Sequence, residues 1–359
     1  MKCLFSRLLY FLPIPVFFIS INYFVDPANL FNNEIYEKIV GHLTNGENVT
    51  NVPNLDERLL QKLLIENLNE CPEEIILGSS RIMLIGKTSD TQKEKYINNG
   101  VSGASIEDFF SILYLYEKKG CKIKKISLGI EPFLLNENNG QTRWKTLEFE
   151  FFELYNQLFT QKKRSNSLIS SKYNELFSFS YFKSSLEFLF SKNNKHIHPT
   201  TNIYNVEMTR LSDGSITYDN ETRNLSSSKV DRKVEHTILD QPLYSMRDFK
   251  QLSEYNKVLF TFFIDYIIRN NIETEFIFVP LHPLLFNYLQ NDPNYKMFFE
   301  AEAFYREIAL KKNINIVGSF DPNKYNLNSA DFYDGFHCKE GIIKKLYSKS
   351  FSKIEDCIN

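Results

Sequence analysis

The chain has 359 residues, of which 43% are hydrophobic and 24% charged, enough for one large globular domain with insertions or for two smaller domains. A net charge of -2 and the lack of any cluster of basic and aromatic side chains argue against a nucleic-acid-binding protein. The five cysteines form no Cys-x-x-Cys pair, and their odd number fits no complete disulfide framework. The sequence therefore indicates neither a zinc site nor a redox motif, and it leaves the redox compartment open.

The first 25 residues predict a membrane anchor. Lys2 and Arg7 precede a run without charges from 8 to 25, whose length is near the lower limit for a helix that crosses a bilayer. No Ala-x-Ala cleavage site follows, so we expect a retained signal anchor over 1–25, with the amino terminus cytoplasmic and the bulk of the chain extracytoplasmic. A core helix or hairpin at the start of a soluble domain is the alternative. Residues 26–54, which are rich in Asn, predict a juxtamembrane linker.

Residues 55–359 alternate between helical and strand patterns, which predicts one α/β domain. A leucine-rich amphipathic helix comes first, and apolar strands are predicted at 75–77, from Tyr96, and at 125–132, 275–280 and 314–317. Helical patterns between the strands favour a parallel five-stranded sheet with helices on both faces, a three-layer α/β/α fold. Residues 136–245 break this rhythm, and we expect them to form a helical insertion that packs as a lid or wall beside the sheet.

Several polar residues follow the predicted strands, where open α/β sheets bind ligands. The strand Ile75-Ile-Leu77 stops at Gly78, and two hydroxyls follow at Ser79 and Ser80. A serine in this position can act as a nucleophile, although a helix N-cap is the plainer interpretation. The other residues at this edge are Gly103, Glu131, His282, Asp334 and His337.

The spacing of Asp334 and His337 predicts a base for this serine. An acid three residues before a histidine can accept a hydrogen bond from one ring nitrogen, which leaves the other nitrogen free to take the serine proton. Asp-x-x-His is common by chance, and an N-cap aspartate beside a surface histidine is the alternative. The sequence contains no cluster of metal ligands near these positions, so we expect no metal and no cofactor.

Three motifs resemble blocks of the SGNH (GDSL-type) hydrolase superfamily: Gly78-Ser-Ser80, Asn99-Gly-Val-Ser-Gly103 and Asp334-Gly-Phe-His337. The chain is most similar in style to the membrane-anchored, extracytoplasmic branch, which includes the teichoic acid D-alanyl transfer protein and alginate O-acetyltransferases. The resemblance covers roughly residues 70–135 and 272–355. It implies that Ser80 is the nucleophile, His337 the base and Asp334 its orienting acid, and that backbone N–H groups of Ser80 and Gly103 bind the oxyanion.

One position departs from the superfamily pattern. The third block normally supplies an Asn that donates to the oxyanion, and Glu131 stands at the matching strand end. An ionised carboxylate accepts hydrogen bonds and cannot donate one. We expect Glu131 to pair instead with Arg81, beside the nucleophile, and Arg81, Glu131 and His282 to form a wall of the site.

Two functions follow from these expectations. The first is a membrane-anchored serine esterase or acyltransferase that acts through an acyl-serine on a cell-surface glycan or glycolipid, as in O-acetylation. The resemblance implies a membrane-bound O-acyltransferase as a partner. The second is a non-catalytic glycan-binding or assembly protein on a degenerate SGNH fold, which the missing Asn and the aromatic-rich insertion favour.

Overall fold

The computed structural model describes residues 13–27, 29–31, 33–86, 96–159, 172–190, 196–240, 243, 245–246 and 248–348. In this part of the chain, helices and strands alternate around a parallel sheet, and a smaller antiparallel sheet lies beside it.

The amino-terminal elements are α1 (Pro13–Val25), α2 (Glu34–Thr44), β1 (Asn48–Thr50) and α3 (Glu57–Asn67). Helix α2 packs against α3 through one apolar face, formed by Tyr36, Ile39, Val40 and Leu43. These four positions have the spacing of an amphipathic helix. The expected linker over 26–54 is therefore wrong for residues 34–50, which belong to the folded domain because their apolar face is buried.

Helix α1 covers part of the expected signal anchor. It has 13 residues and so a length of about 20 Å. Among the residues that the structure describes, no helix combines the length and the apolar character needed to cross a bilayer. Residues 1–12 lie outside the described residues. The anchor over 1–25 stays a prediction.

The first strands of the main sheet are β2 (Glu74–Leu77), β3 (Tyr96–Asn98) and β4 (Lys125–Gly129), with helix α4 (Ile106–Lys119) between β3 and β4. The apolar residues of β2 are fully buried, as expected of a strand covered on both faces. Helix α4 begins at a capping box formed by Ser105 and Asp108. It ends at Gly120, whose φ of 84° lies in the left-handed region that glycine adopts without steric cost.

The region 136–245, expected to be a helical insertion, contains both helices and short strands. Its helices are α5 (Glu148–Leu158), α6 (Lys172–Glu175), α7 (Phe179–Phe190), α8 (Asn220–Arg223) and α9 (Ser227–Leu239). Its strands are β5 (His198–Thr200), β6 (Thr209–Arg210) and β7 (Ile216–Thr217). These strands join β1 in a four-stranded antiparallel sheet of order β5-β1-β6-β7. The insertion thus pairs, through β5 and β6, with strand β1 of the segment that precedes the main sheet.

The remaining elements are α10 (Glu254–Arg269), β8 (Glu273–Phe278), α11 (Pro283–Asn291), α12 (Lys296–Lys312), β9 (Asn315–Gly318) and α13 (Glu340–Ser348). The main sheet has five strands in the order β3-β2-β4-β8-β9, and every neighbouring pair is parallel. The predicted α/β fold with a parallel five-stranded sheet is confirmed.

A disulfide links Cys71, just before β2, to Cys121, just after α4. The two cysteines are 50 residues apart in sequence, and a loop of this size corresponds to about 4 kcal/mol of stabilisation in the chain-entropy model. The closed loop contains β2, β3, α4 and the turn at Ser80. Cys338 is a buried free thiol, and burial raises its pKa, which disfavours the reactive thiolate in the folded protein.

Candidate active site

Ser80 and Glu131 follow two adjacent strands, β2 and β4, at the same edge of the main sheet. From β2 the chain continues to β3 on one side, and from β4 it continues to β8 on the other side. The two connections therefore diverge and leave a crevice between them, which is where ligands bind in open α/β sheets.

Two glycines let the turn at Ser80 lie close to the end of β4. A Cβ atom on Gly78 would lie 2.8 Å from Cγ1 of Ile82, and one on Gly129 would lie 2.5 Å from Cγ2 of the same residue. Ile82 is fully buried and its N–H donates to the Ser79 carbonyl, which closes the turn. A larger residue at either glycine would displace Ile82 and, with it, the turn that carries Ser80.

The structure brings Ser80, His337 and Asp334 into one hydrogen-bonded chain. Ser80 Oγ lies 2.9 Å from His337 Nε2, although 257 residues separate the two in sequence. On the other side of the ring, His337 Nδ1 lies 2.9 Å from Asp334 Oδ2 and 3.0 Å from Oδ1. This is the order of contacts that a nucleophile, its base and an orienting carboxylate require.

Asp334 is held in its ionised form. Burial raises the pKa of this carboxyl, but the adjacent His337 and the hydrogen bonds to the carboxylate outweigh that effect and lower it to about 2. Two of these bonds come from backbone, since the N–H groups of Phe336 and His337 donate to Oδ1 at 2.7 and 2.9 Å. The same carboxylate thus shapes the loop and orients the imidazole.

Neighbouring backbone fixes the loop that carries Asp334 and His337. The N–H of His282 donates to the Gly335 carbonyl at 3.1 Å, and the N–H of Tyr333 donates to the His337 carbonyl at 2.9 Å. The His282 side chain caps α11, and its ring is fully buried against Phe332. Burial lowers the pKa of His282, although nearby Asp231 and Asp334 oppose this effect. The His282 ring is fully buried, and its place in a wall of the site stays a prediction.

Arg81 and Glu131 form the expected ion pair, with 2.7 Å between Nη1 of Arg81 and Oε2 of Glu131. The other carboxylate oxygen, Oε1, accepts a hydrogen bond from Ser79 Oγ at 2.6 Å. Both side chains are at least 95% buried beside the serine turn, and their place in a wall of the site stays a prediction. Because both carboxylate oxygens accept hydrogen bonds, Glu131 cannot replace the missing Asn donor.

The guanidinium of Arg81 also joins several chain segments. Nε donates to the Phe336 carbonyl at 2.9 Å, and Nη2 donates to the carbonyls of Val279 and Pro280. These three carbonyls lie in the loops that follow β8 and β9. The sequence indicated the contact to Glu131 but not these carbonyl contacts. Every residue has a backbone carbonyl, so the residue types do not indicate which carbonyls accept a hydrogen bond.

The expected oxyanion donors lie on two turns that are hydrogen-bonded to each other. The N–H of Val101 donates to the Gly78 carbonyl at 3.0 Å, which brings the loop of Gly103 to the loop of Ser80. Gly103 has a φ of 55°, and its carbonyl accepts from Nη2 of Arg58 at 3.2 Å. Within the described part of the chain, neither the N–H of Ser80 nor that of Gly103 has an acceptor. Their donor capacity is therefore unused within these described residues.

Tyr218, in the insertion, was missed by the sequence analysis. Its ring lies edge-on to the His337 ring at 6.1 Å and to the Tyr333 ring at 5.1 Å. The insertion also reaches the sheet itself, because the N–H of Asn98 donates to the Asp213 carbonyl at 2.7 Å. The insertion is thus a wall beside the crevice. No local pattern around Tyr218 distinguishes it from other aromatic residues of the chain.

The described residues contain no group of three or more His, Cys, Asp or Glu that could hold a metal ion. Neither a scan against models of known protein families nor a search of curated proteins found a match to this chain.

Proposed function

We propose that this protein is a serine-dependent acyl-transfer enzyme, an esterase or an O-acyltransferase. The observation that supports the proposal is the chain of contacts from Ser80 Oγ through the His337 ring to the Asp334 carboxylate. A free hydroxyl is a poor nucleophile near neutral pH, and this arrangement supplies the base that it needs.

The reaction has two halves. Ser80 Oγ attacks the carbonyl carbon of an ester while His337 Nε2 takes the hydroxyl proton, and the N–H groups of Ser80 and Gly103 bind the oxyanion. The intermediate then expels the alcohol, which receives the proton from His337, and an acyl-serine remains. In the second half, water or a sugar hydroxyl gives its proton to His337 and attacks the acyl carbon. The bond between that carbon and Ser80 Oγ then breaks, and His337 returns the proton to the serine. An esterase and a transferase differ only in this acceptor.

We propose the SGNH type of three-layer fold for the enzyme. The resemblance of the three motifs supports this assignment, and so does the position of those motifs at one edge of a parallel sheet. The proposed enzyme differs from the superfamily pattern in one respect, because its oxyanion site would have two backbone donors and no Asn. Loss of one donor typically slows turnover roughly 100- to 1000-fold.

We further propose that the enzyme is anchored to a membrane and acts outside the cytoplasm on a surface glycan or glycolipid. Helix α1 packs on α7 through the stacked rings of Phe18 and Phe182, 4.5 Å apart. The paired helices expose large apolar side chains, including Phe24 at 81% and Phe190 at 84%, which supports a lipid-facing surface. The disulfide supports an oxidising compartment. A membrane-bound O-acyltransferase is the partner that the resemblance implies.

Cell fractionation tests this location. With free thiols alkylated during lysis, the membrane fraction should contain the protein, and digestion should yield the peptide pair linked through Cys71 and Cys121. Recovery of the protein in the soluble fraction, with both cysteines alkylated, would contradict both the anchor and the compartment. Cys338 is an internal control, because its thiol is free and becomes alkylated once the protein is denatured.

A non-catalytic glycan-binding or assembly protein is the second candidate. One observation favours it: Glu131 occupies the position of the Asn donor, and its carboxylate is fully used in contacts beneath the serine. Such a protein would keep the crevice without turning over an ester.

A fluorophosphonate probe separates the two candidates. In an enzyme, Ser80 Oγ attacks phosphorus, fluoride leaves and the proton passes to His337, so the intact protein should gain the mass of one probe less HF at Ser80. Labelling should be lost in Ser80→Ala and in His337→Ala. Ser79→Ala is the matched control and should still be labelled, because the Ser79 hydroxyl contacts Glu131 and not His337. An intact protein that takes up no probe would favour the binding protein.

A further inference from the structure

A cavity of about 380 Å³ borders the loop that carries Gly103. It is lined by Leu30, by residues 52–58, by Leu60, Ser102, Arg143 and Met208, and by Arg210 of strand β6. Ser102 directly precedes Gly103, one of the proposed oxyanion donors. A volume in this range suits a small-molecule ligand.

Arg210 is the unusual residue in this cavity. Only 4% of the residue is exposed, yet its Nε has no hydrogen-bond partner among the described residues. Nη1 donates to the Gly214 carbonyl at 3.3 Å, and Nη2 approaches Glu57 Oε1 no closer than 3.8 Å. Burial lowers the pKa of Arg210, and Glu57 only partly opposes this effect. A guanidinium has five N–H donors, so most of its capacity is unused.

Arg58, in the wall of the same cavity, is also buried, but its guanidinium has hydrogen-bond acceptors that Arg210 lacks. Its Nε and Nη2 donate to the two oxygens of Asp108 at 2.8 and 2.7 Å. Further bonds at 3.3 and 3.2 Å go to the carbonyls of Ser102 and Gly103. Arg210 has no such carboxylate, because Glu57 uses its other oxygen, Oε2, to accept from the Ser102 N–H. A buried cation whose nearest carboxylate oxygen is 3.8 Å away is costly unless a ligand supplies a closer anion.

We propose that this cavity is the substrate subsite and that it binds a sugar carrying a carboxylate or phosphate, with the anionic group at Arg210. The proposal rests on the proposed function, because it assigns the acceptor or acyl-carrying sugar of that reaction. Asp56 and Glu57 line the same cavity and can accept hydrogen bonds from sugar hydroxyls, and Val52 and Leu60 supply an apolar wall. Ser102 joins the subsite to the loop of Gly103, which is hydrogen-bonded to the serine turn through the Val101 N–H and the Gly78 carbonyl.

Binding to the Ser80→Ala chain tests the proposal without any dependence on catalysis. Glucuronate and glucose 6-phosphate, titrated calorimetrically, should bind roughly tenfold or more tightly than glucose, since a charge-assisted hydrogen bond is worth at least that factor. The two anionic probes also distinguish a carboxylate from a phosphate as the preferred group. Equal affinity for glucose, or no binding of any of the three sugars, would overturn the proposal.

Two substitutions with opposite expected effects make the test specific. Arg210→Gln should weaken binding of the anionic sugars roughly tenfold or more, whereas Glu57→Gln should strengthen it, because it removes the negative charge nearest the guanidinium. A glutamine at 57 can still accept from the Ser102 N–H. Arg269→Gln, at the exposed end of α10, is the control and should change nothing.

The pattern of results separates this proposal from the proposed function. A merely structural role for the two residues would weaken binding in both Arg210→Gln and Glu57→Gln, and that result would overturn the subsite. If Arg210→Gln fails to fold, Glu57→Gln alone tests the subsite: stronger binding of the anionic sugars supports it and weaker binding overturns it. If the protein takes up no fluorophosphonate but still binds the anionic sugars, the proposed enzyme is wrong and the anion-binding site remains. If the protein is labelled but does not bind the anionic sugars, only the proposed subsite is wrong.

Discussion

Replacing Asp334 with asparagine should lower the rate of ester turnover roughly 10³- to 10⁴-fold while leaving the fold intact. The asparagine carbonyl can still accept from the N–H groups of Phe336 and His337, which hold the loop. Its amide group, however, offers donors to His337 Nδ1 and so favours the tautomer whose Nε2 carries the proton. That tautomer cannot take the proton of Ser80. Initial rates on an activated ester measure the loss, and the thermal midpoint reports the fold.

The matched control is Asp321→Asn, which keeps a side-chain oxygen to cap a surface turn and should leave the rate unchanged. A rate for Asp334→Asn within a few-fold of the parent would mean that the carboxylate does not orient the base.

The pH dependence follows from the same carboxylate. Because the pKa of Asp334 in the folded chain is about 2, below its ordinary 3.8, the ionised group stabilises the fold fully above pH 3.8. That stabilisation is lost as the pH falls through about 2. Loss of activity at a pH well above 3.8 therefore cannot come from protonation of Asp334.

Replacing Arg81 with methionine should lower the free energy of unfolding by about 3–5 kcal/mol. The substitution leaves the Glu131 carboxylate buried without its cation, and it removes the donor to the carbonyls of Phe336, Val279 and Pro280. Urea denaturation of the two proteins measures the difference. The variant should also lose fluorophosphonate labelling, because the serine turn and the histidine loop are no longer joined.

Two further variants separate the ion pair from the other contacts of Arg81. The double variant Arg81→Met with Glu131→Gln should recover part of the lost stability, because no unpaired charge remains. Exchanging the charges, with Glu at 81 and Arg at 131, should not recover it, since a carboxylate at 81 would face the three carbonyls that now accept from the guanidinium. A loss below about 1 kcal/mol in Arg81→Met would contradict the role of the pair.

The sequence predicted the main sheet and the contacts of Ser80, His337 and Asp334 because both depend on local patterns and one general rule. Short apolar runs such as Ile75-Ile-Leu77 mark buried strands, and residues after parallel strands meet at one edge. The pairing of Arg81 with Glu131 followed from the same rule, since each residue comes just after a strand of that sheet.

The features that sequence analysis missed depend on contacts between distant segments. Strand β1 was hidden in an Asn-rich segment because its partners, β5 and β6, come about 150 residues later. Neither the pairing of Cys71 with Cys121 nor the position of Tyr218 beside His337 has a local signal. The buried Arg210 looks like any surface arginine until its neighbours are known.

The contacts of Arg81 have a consequence for the timing of catalysis. One guanidinium bonds to groups that follow β4, β8 and β9, while its own backbone continues the turn after β2. The relative positions of Ser80 and His337 are thus set in the resting protein. If the proposed function is right, an arriving ester would meet a pre-organised pair, and no reorganisation energy would be spent on assembling it during the reaction.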